Sequence, residues 1–180
     1  DKLITDENDA NNGKYKVDYK VTGKNKFNVD NVTYSTIGNE SYYGTVTKTG
    51  NTFTYVGNKD KADGNYGIKI TNIKLKPNTT YYLSYDYKNT NADASCFIRV
   101  YANNSGQIKE GHITTFTTID NEYYYIAFYG TVGKIVNCQF TVSNIQLEEG
   151  TTATDYEPYK ESIKTLYLNS PLLEGDTIEQ

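Results

Sequence analysis

The chain has 180 residues, enough for one good domain that buries roughly 70% of its extended surface on folding. Lys+Arg 18 against Asp+Glu 22 leave a net charge of −4. An acidic chain without a basic cluster makes no case for a phosphate backbone, which sets nucleic acid aside as a partner, and no apolar run reaches the length of a membrane span or signal peptide.

In chain order, residues 1–24 are polar and rich in Lys and Asn. They carry one alternating strip at 15–21 and read as the end of a preceding module or a linker. Short runs of Tyr, Val, Ile, Thr and Phe follow, punctuated by Asn, Gly, Asp and Lys, and no capped amphipathic stretch of helical length interrupts them. Strands are predicted at 45–48, 52–56, 66–75, 80–88, 96–102, 112–118, 123–129 and 136–147. Turn chemistry lies between them at Thr49-Gly50-Asn51, the loop 57–65, Pro77-Asn78, 103–106 and Asp120-Asn121. Runs at this spacing predict an all-β fold, a two-sheet antiparallel jelly-roll sandwich over residues 25–158. After Gly150 the strand pattern stops, and 161–168 reads equally as helix or strand within an exit segment, 159–180, that leads to a following region. The start at Asp1 and the end at Glu179-Gln180 read as excision from a larger protein.

Successive strand residues point to opposite faces, so alternation assigns the core. Leu83 takes Tyr81, Tyr85 and Tyr87 inward with it, leaving Tyr82, Ser84 and Asp86 outside. Cys96, Ile98 and Val100 form the next inward set, with Phe97, Arg99 and Tyr101 outside. Tyr124, Ile126 and Phe128 point in, while Tyr123, Tyr125 and Tyr129 point out. In the last run Phe140 and Val142 alternate, then Ile145 and Leu147 do, and a bulge near Ser143-Asn144 reconciles the two phases. Cys96 and Cys138 share the phase of apolar neighbours and match no metal-ligand spacing; they read as buried thiols, with a disulfide left open.

The outward aromatics Tyr82, Phe97, Tyr101, Tyr123, Tyr125 and Tyr129, with Arg99 and Asp86 among them, are the candidate ligand-binding residues. A ring face suits the C–H face of a pyranose, and nearby polar groups suit its hydroxyls. The competing reading is that tyrosine serves cross-strand pairing on exposed strands. No catalytic residues are assigned: His112 has no locally spaced nucleophile or carboxylate, and Asp86, Glu110 and Glu122 sit among polar residues rather than as the opposed pair a glycosidase needs. The loop 58–65 lacks the alternating carboxylates of a calcium loop, and Lys59 and Lys61 oppose a cation, so no metal is assigned.

The closing segment reads Phe140-Thr-Val-Ser-Asn-Ile-Gln-Leu-Glu-Glu-Gly-Thr-Thr-Ala-Thr-Asp-Tyr-Glu-Pro-Tyr-Lys160. It resembles the last strand and exit of jelly-roll modules in tail and baseplate proteins of phages, prophages and tail-like bacteriocins of Gram-positive bacteria. Leu75-Lys-Pro-Asn-Thr-Thr-Tyr-Tyr-Leu-Ser-Tyr85 is similar to a turn and strand of family 4/9-type, galactose-binding-like carbohydrate-binding modules. Gly23-Lys-Asn-Lys-Phe27 resembles the opening motif of the same domains, and Leu168-Asn-Ser-Pro-Leu-Leu-Glu-Gly-Asp176 the segment leading onward. The resemblance implies a non-catalytic virion component at the host-facing end of a tail, assembled in the bacterial cytoplasm. Its implied partners are host cell-wall or capsular polysaccharide, other tail or baseplate subunits and further copies of itself; the alternative is a structural spacer or docking domain without glycan binding. Relatives carry Asp, which often helps hold a structural calcium, where this chain has the uncharged Asn144, so no cofactor is expected.

Overall fold

The computed structural model describes residues 2–5, 9–37, 44–57, 67–89, 96–103, 105–120, 123–130 and 139–174. It divides into two compact units, one made of residues 1–23 with 160–180 and the other of residues 24–159. In the first unit β1 (Lys2–Leu3), β2 (Tyr15–Thr22) and β13 (Glu161–Leu168) form an antiparallel sheet in the order β1-β2-β13. The ambiguous run 161–168 is therefore a strand. It pairs with β2 from Glu161↔Thr22 to Leu168↔Tyr15, with Val17 opposite Leu166 and a Lys20–Glu161 ion pair of 2.9 Å on the other face.

The second unit is all β. Its strands are β3 (Thr33–Thr36), β4 (Gly44–Thr49), β5 (Thr52–Gly57), β6 (Gly67–Lys74), β7 (Thr80–Asn89), β8 (Phe97–Ala102), β9 (Gly106–Gly111), β10 (Thr115–Thr117), β11 (Tyr123–Tyr129) and β12 (Gln139–Glu149). They form two five-stranded antiparallel sheets, ordered β10-β7-β12-β5-β4 and β3-β6-β11-β8-β9. The chain crosses between sheets after β3, β5, β6, β7, β9, β10 and β11, so that β12 inserts between β5 and β7 while β11 inserts between β6 and β8. Strands β5 to β12 thus lie in the orders 5-12-7-10 and 6-11-8-9, which is the winding of a jelly roll.

The core between the sheets is what alternation predicts. Phe53, Tyr55, Leu83, Phe140, Val142 and Leu147 come from one sheet, Ile68, Ile70, Ile98, Val100, Ile126 and Phe128 from the other, and all are buried. Burying each such side chain contributes ~1.5–3 kcal/mol. Tyr85 bridges the layers, its ring meeting Phe128 edge-on at 5.2 Å. The expected bulge is present: the pairing of β12 with β7 slips between Ser143 and Gln146, and Asn144 takes a φ of 51°. Hairpin β4–β5 turns at Gly50, with φ 58°, and the turn at Asn78, with φ 49°, leads into β7.

Three differences from the sequence reading have physical causes. The run 112–118 forms a strand only at Thr115–Thr117, because 112–114 carry the chain from one sheet to the other after Gly111, whose φ is 117°. Strands β3 and β9 are edge strands with polar sequences, Thr-Tyr-Ser-Thr and Gly-Gln-Ile-Lys-Glu-Gly, and give no period-2 signal. The loop 58–65, Asn121, Glu122 and Cys138 lie outside the described residues.

Cys96 is buried beside Tyr85. Burial pushes its thiol up to about 12, against the opposing hydrogen bonds from the Tyr85 hydroxyl and the Tyr129 backbone. A thiol that stays protonated and covered does not react. Peptide mapping after iodoacetamide treatment of the native protein at mildly alkaline pH should therefore find Cys96 unmodified, and modified once denaturant is present; rapid native labelling would contradict the placement of β8.

Candidate ligand-binding groove

The outer face of sheet β3-β6-β11-β8-β9 is built from two neighbouring strands that the sequence marked as tyrosine-rich. In β11 the outward row is Tyr123, Tyr125, Ala127 and Tyr129; in β8 it is Phe97, Arg99 and Tyr101. Antiparallel register sets Tyr125 against Tyr101, Ala127 against Arg99 and Tyr129 against Phe97. On the other flank β6 sets Lys74 against Tyr123, Lys69 against Ala127 and Gly67 against Tyr129.

Six of the eight candidate residues thus share one face: Phe97, Arg99, Tyr101, Tyr123, Tyr125 and Tyr129. Tyr82 and Asp86 do not join them. Both lie on β7 in the other sheet, where Tyr82 faces Glu148 and Thr115, and Asp86 faces Ser143. Alternation told their face correctly but carried no information on which sheet β7 enters. Asp86 accepts a hydrogen bond from the Asn144 amide at 2.6 Å, and the Asn144 carbonyl accepts one from Asn51 at 2.6 Å. The bulge residue thus joins Asp86 and Asn51 through its side chain.

Tyr129 is a second correction. It occupies an outward position yet is buried, because Phe97 packs edge-on against its ring at 6.2 Å and the Arg99 guanidinium lies 5.2 Å from the ring centre. The Tyr101 and Tyr125 rings stack at 4.4 Å with their planes 12° apart. Lys69 Nζ sits 4.5 Å from the Tyr125 centroid, over the face that Tyr101 leaves open. Lys69, Tyr125 and Tyr101 therefore stand as a three-member ladder across β6, β11 and β8, with both faces of Tyr125 occupied. Tyr123 remains 40% exposed at the end of the row, with Lys74 5.8 Å above it.

The hollow lies where the ring row is interrupted. Ala127 is the small side chain between Tyr125 and Tyr129, and it forms the floor of a groove of about 350 Å³ walled by Ser35, Thr36, Ile37, Lys69, Tyr101, Tyr125 and Tyr129. The buried Thr36 hydroxyl has no hydrogen-bond partner among the described residues. Arg99 Nε donates to Glu110 at 3.1 Å on the far side, from β9. Burial, reinforced by the neighbouring Tyr101, raises the Tyr125 hydroxyl above its ordinary value. Burial and Tyr101 also raise Tyr129, against the opposing charge of Arg99, so both phenols stay protonated donors well past neutral pH. Ala127 and Lys69 were not among the residues the sequence singled out. Their signal was a small residue in an outward row of tyrosines and a lysine between the inward Ile68 and Ile70.

A second hollow of about 320 Å³ lies among Phe27, Asn28, Val29, Asp30, Asn51, Ile145, Tyr156, Pro158 and Tyr159. Asn51 reaches the Tyr156 hydroxyl at 3.3 Å across it.

No protein-family model matches the chain, and no curated protein matches it. Two solved structures are similar at low identity. One, described as "CBM4 structure and function", is 15% identical with a TM-score of 0.47, over 67% of this chain and 96% of that one. The other contains accessory secretory proteins 1, 2 and 3 of Streptococcus pneumoniae; it is 13% identical with a TM-score of 0.40, over 68% of this chain and 99% of that one.

Proposed function

We propose that the groove over Ala127 seats a saccharide, and that the chain is a non-catalytic glycan-binding module of a phage tail or baseplate protein that contacts host cell-surface polysaccharide during adsorption. The observation that carries the binding reading is the gap in the tyrosine row: a hollow of about 350 Å³ lined by Tyr101, Tyr125, Tyr129 and Lys69, on a jelly-roll sheet. Its size falls at the small end of ligand sites, and its polar edges suit sugar hydroxyls. The tail setting is supported by the resemblance of the closing segment 140–160. Among the described residues no carboxylate lines the groove, and Glu110 on the neighbouring edge strand is held by Arg99. A glycosidase needs two opposed carboxylates, which makes binding without hydrolysis the better reading.

Weak binding is expected. A monosaccharide of ~12 heavy atoms at ~0.3 kcal/mol per atom gains ~4 kcal/mol, a Kd near ~1 mM. Several copies in a symmetric particle would multiply that by ~10²–10⁴. NMR titration of the chain with fragments of host wall glycan should shift resonances of Ala127, Tyr125 and Tyr129, and Ala127→Leu, which fills the hollow, should weaken binding by about tenfold or more, equal to ~1.4 kcal/mol. Absence of any shift at tens of millimolar sugar, together with absence of cell binding by a multimerised form, would reject the proposal.

The structural alternative is favoured by the Tyr101–Tyr125 stack, since those rings already spend their faces on each other. It leaves the hollow at Ala127 without a role. Under that reading Tyr125→Ala disturbs particle assembly while glycan binding is absent from the start.

A further inference from the structure

We infer that the groove selects an acidic saccharide, one whose carboxylate or phosphate sits over Ala127 beside Lys69. This rests on the groove being a saccharide site. Ala127 is the register partner of both cations: Lys69 lies beside it on β6 and Arg99 beside it on β8. Neighbouring strands are ~4.8 Å apart, and of these two cations Lys69 is the one that lines the hollow. Along the strand, Tyr125 and Tyr129 line it on either side of Ala127.

Among the described residues the charges on this face do not cancel. Arg99 has Glu110 as its counter-ion at 3.1 Å, but Lys69 has no carboxylate against it among the described residues; its ammonium rests on the Tyr125 ring at 4.5 Å. A cation–π contact holds a lysine in place while leaving its charge uncompensated and its N–H groups free to donate. The guanidinium is spent on protein partners, Glu110 through Nε and the Tyr101 and Tyr129 side chains, which leaves Lys69 as the cation that faces the hollow. Lys69 is half-buried, where salt screens a charge less than on open surface. A chain of net charge −4 repels polyanions as a whole, so one uncompensated cation inside its groove is a local feature set against the overall field.

The test titrates the full chain with a neutral oligosaccharide, a uronate-containing oligosaccharide of equal length, and an oligomer of glycerol phosphate. Titrations run at about 50 and about 300 mM NaCl, which shortens the screening length from ~14 Å to ~6 Å. The uronate or the phosphate ligand should bind about tenfold more tightly than the neutral one at low salt, with the preference shrinking at high salt. Whichever anion wins identifies carboxylate or phosphate as the group recognised. Lys69→Gln should cut the ratio of acidic to neutral affinity by about tenfold, and Lys69→Arg should restore most of it; thermal melts of both variants report whether the fold is intact. Equal affinity for neutral and acidic ligands, or a preference that survives Lys69→Gln, overturns the inference and leaves the saccharide site standing. Failure of all three ligands to bind overturns the saccharide site itself.

Discussion

Gly67→Ala is expected to destabilise the jelly roll by about 3 kcal/mol, at the upper end of what overpacking costs. Gly67 opens β6 and faces Tyr129 across the central pair of the groove-bearing sheet. A Cβ there would overlap the Phe128 backbone carbonyl and come within 3.0 Å of Tyr129 Cα. Both obstacles are backbone of a strand whose inward side chains are buried, so neither can swing aside. The end of β6 must part from β11 instead, giving up ladder hydrogen bonds and loosening the wall that Tyr129 provides. At ~2–4 °C per kcal/mol for a chain of this size, the melting temperature should fall by ~6–12 °C, and the saccharide binding proposed for the groove should fall with it. Gly50→Ala is the control. Its φ of 58° strains an alanine, but nothing lies within 4 Å, so the cost is ~1–2 kcal/mol. Equal losses for the two variants would mean that β6 and β11 do not approach this closely.

Glu148→Ala should cost a comparable amount, about 3 kcal/mol, by removing the acceptor at the centre of a buried polar cluster. The Glu148 carboxylate accepts hydrogen bonds from Gln146 Nε2 at 2.8 Å, the Thr154 backbone amide at 3.1 Å and the Thr154 hydroxyl at 2.6 Å. Lys24 donates in turn to Thr154 Oγ1. Gln146 accepts from the Glu157 amide at 2.9 Å, while Asn25 donates to the carbonyl of Glu157 at 3.0 Å and accepts from the Leu147 amide at 3.2 Å. Asn25, Gln146 and Glu148 are all buried, and together they sew the leading segment 24–27 and the trailing segment 154–157 onto β12. Burial alone would raise the Glu148 carboxyl, but the Thr154 and Gln146 hydrogen bonds and the Lys24 charge outweigh it and hold it below its ordinary value of 4.5. A depressed folded pKa adds stability above the ordinary value and loses it as pH falls through the folded one. Denaturation midpoints of the native protein should therefore drop between about pH 4.5 and the lower folded value, and Glu148→Gln should flatten that part of the curve. An unchanged slope would show that other carboxylates carry the acid sensitivity.

Much of the sandwich was readable because its central strands are buried inside and wet outside. Ile98 and Val100 against Arg99 and Tyr101, or Leu83 against Ser84, give a clean period of two. The phase change between Val142 and Ile145 announced the bulge at Asn144 before any coordinate did. The edge strands β3 and β9 escaped because they are short on apolar residues, as in Gly106–Gly111, where Ile108 is the single one. Tyr129 faces outward as read, but its burial was not legible, because its cover comes from Phe97 and Arg99, some 30 residues earlier in the chain, a pairing that local pattern does not specify. The motif 140–160 was legible as a resemblance, but the hydrogen bonds of Gln146 and Glu148 show that two of its polar residues close the fold rather than face a ligand. The groove itself was half legible: the rings could be assigned to a surface, while the residue that makes room between them is an alanine.

The winding order has a consequence for synthesis. Because β12 is the last strand of the jelly roll and lies between β5 and β7, the sheet β10-β7-β12-β5-β4 stays split until residues 139–149 have left the ribosome. At ~5–20 residues per second the nascent chain spends several seconds with Phe53, Tyr55 and Leu83 beside open strand edges. Such a chain is long on non-local pairings, slow to close, and dependent in that interval on whatever shields those edges from other copies on the same message.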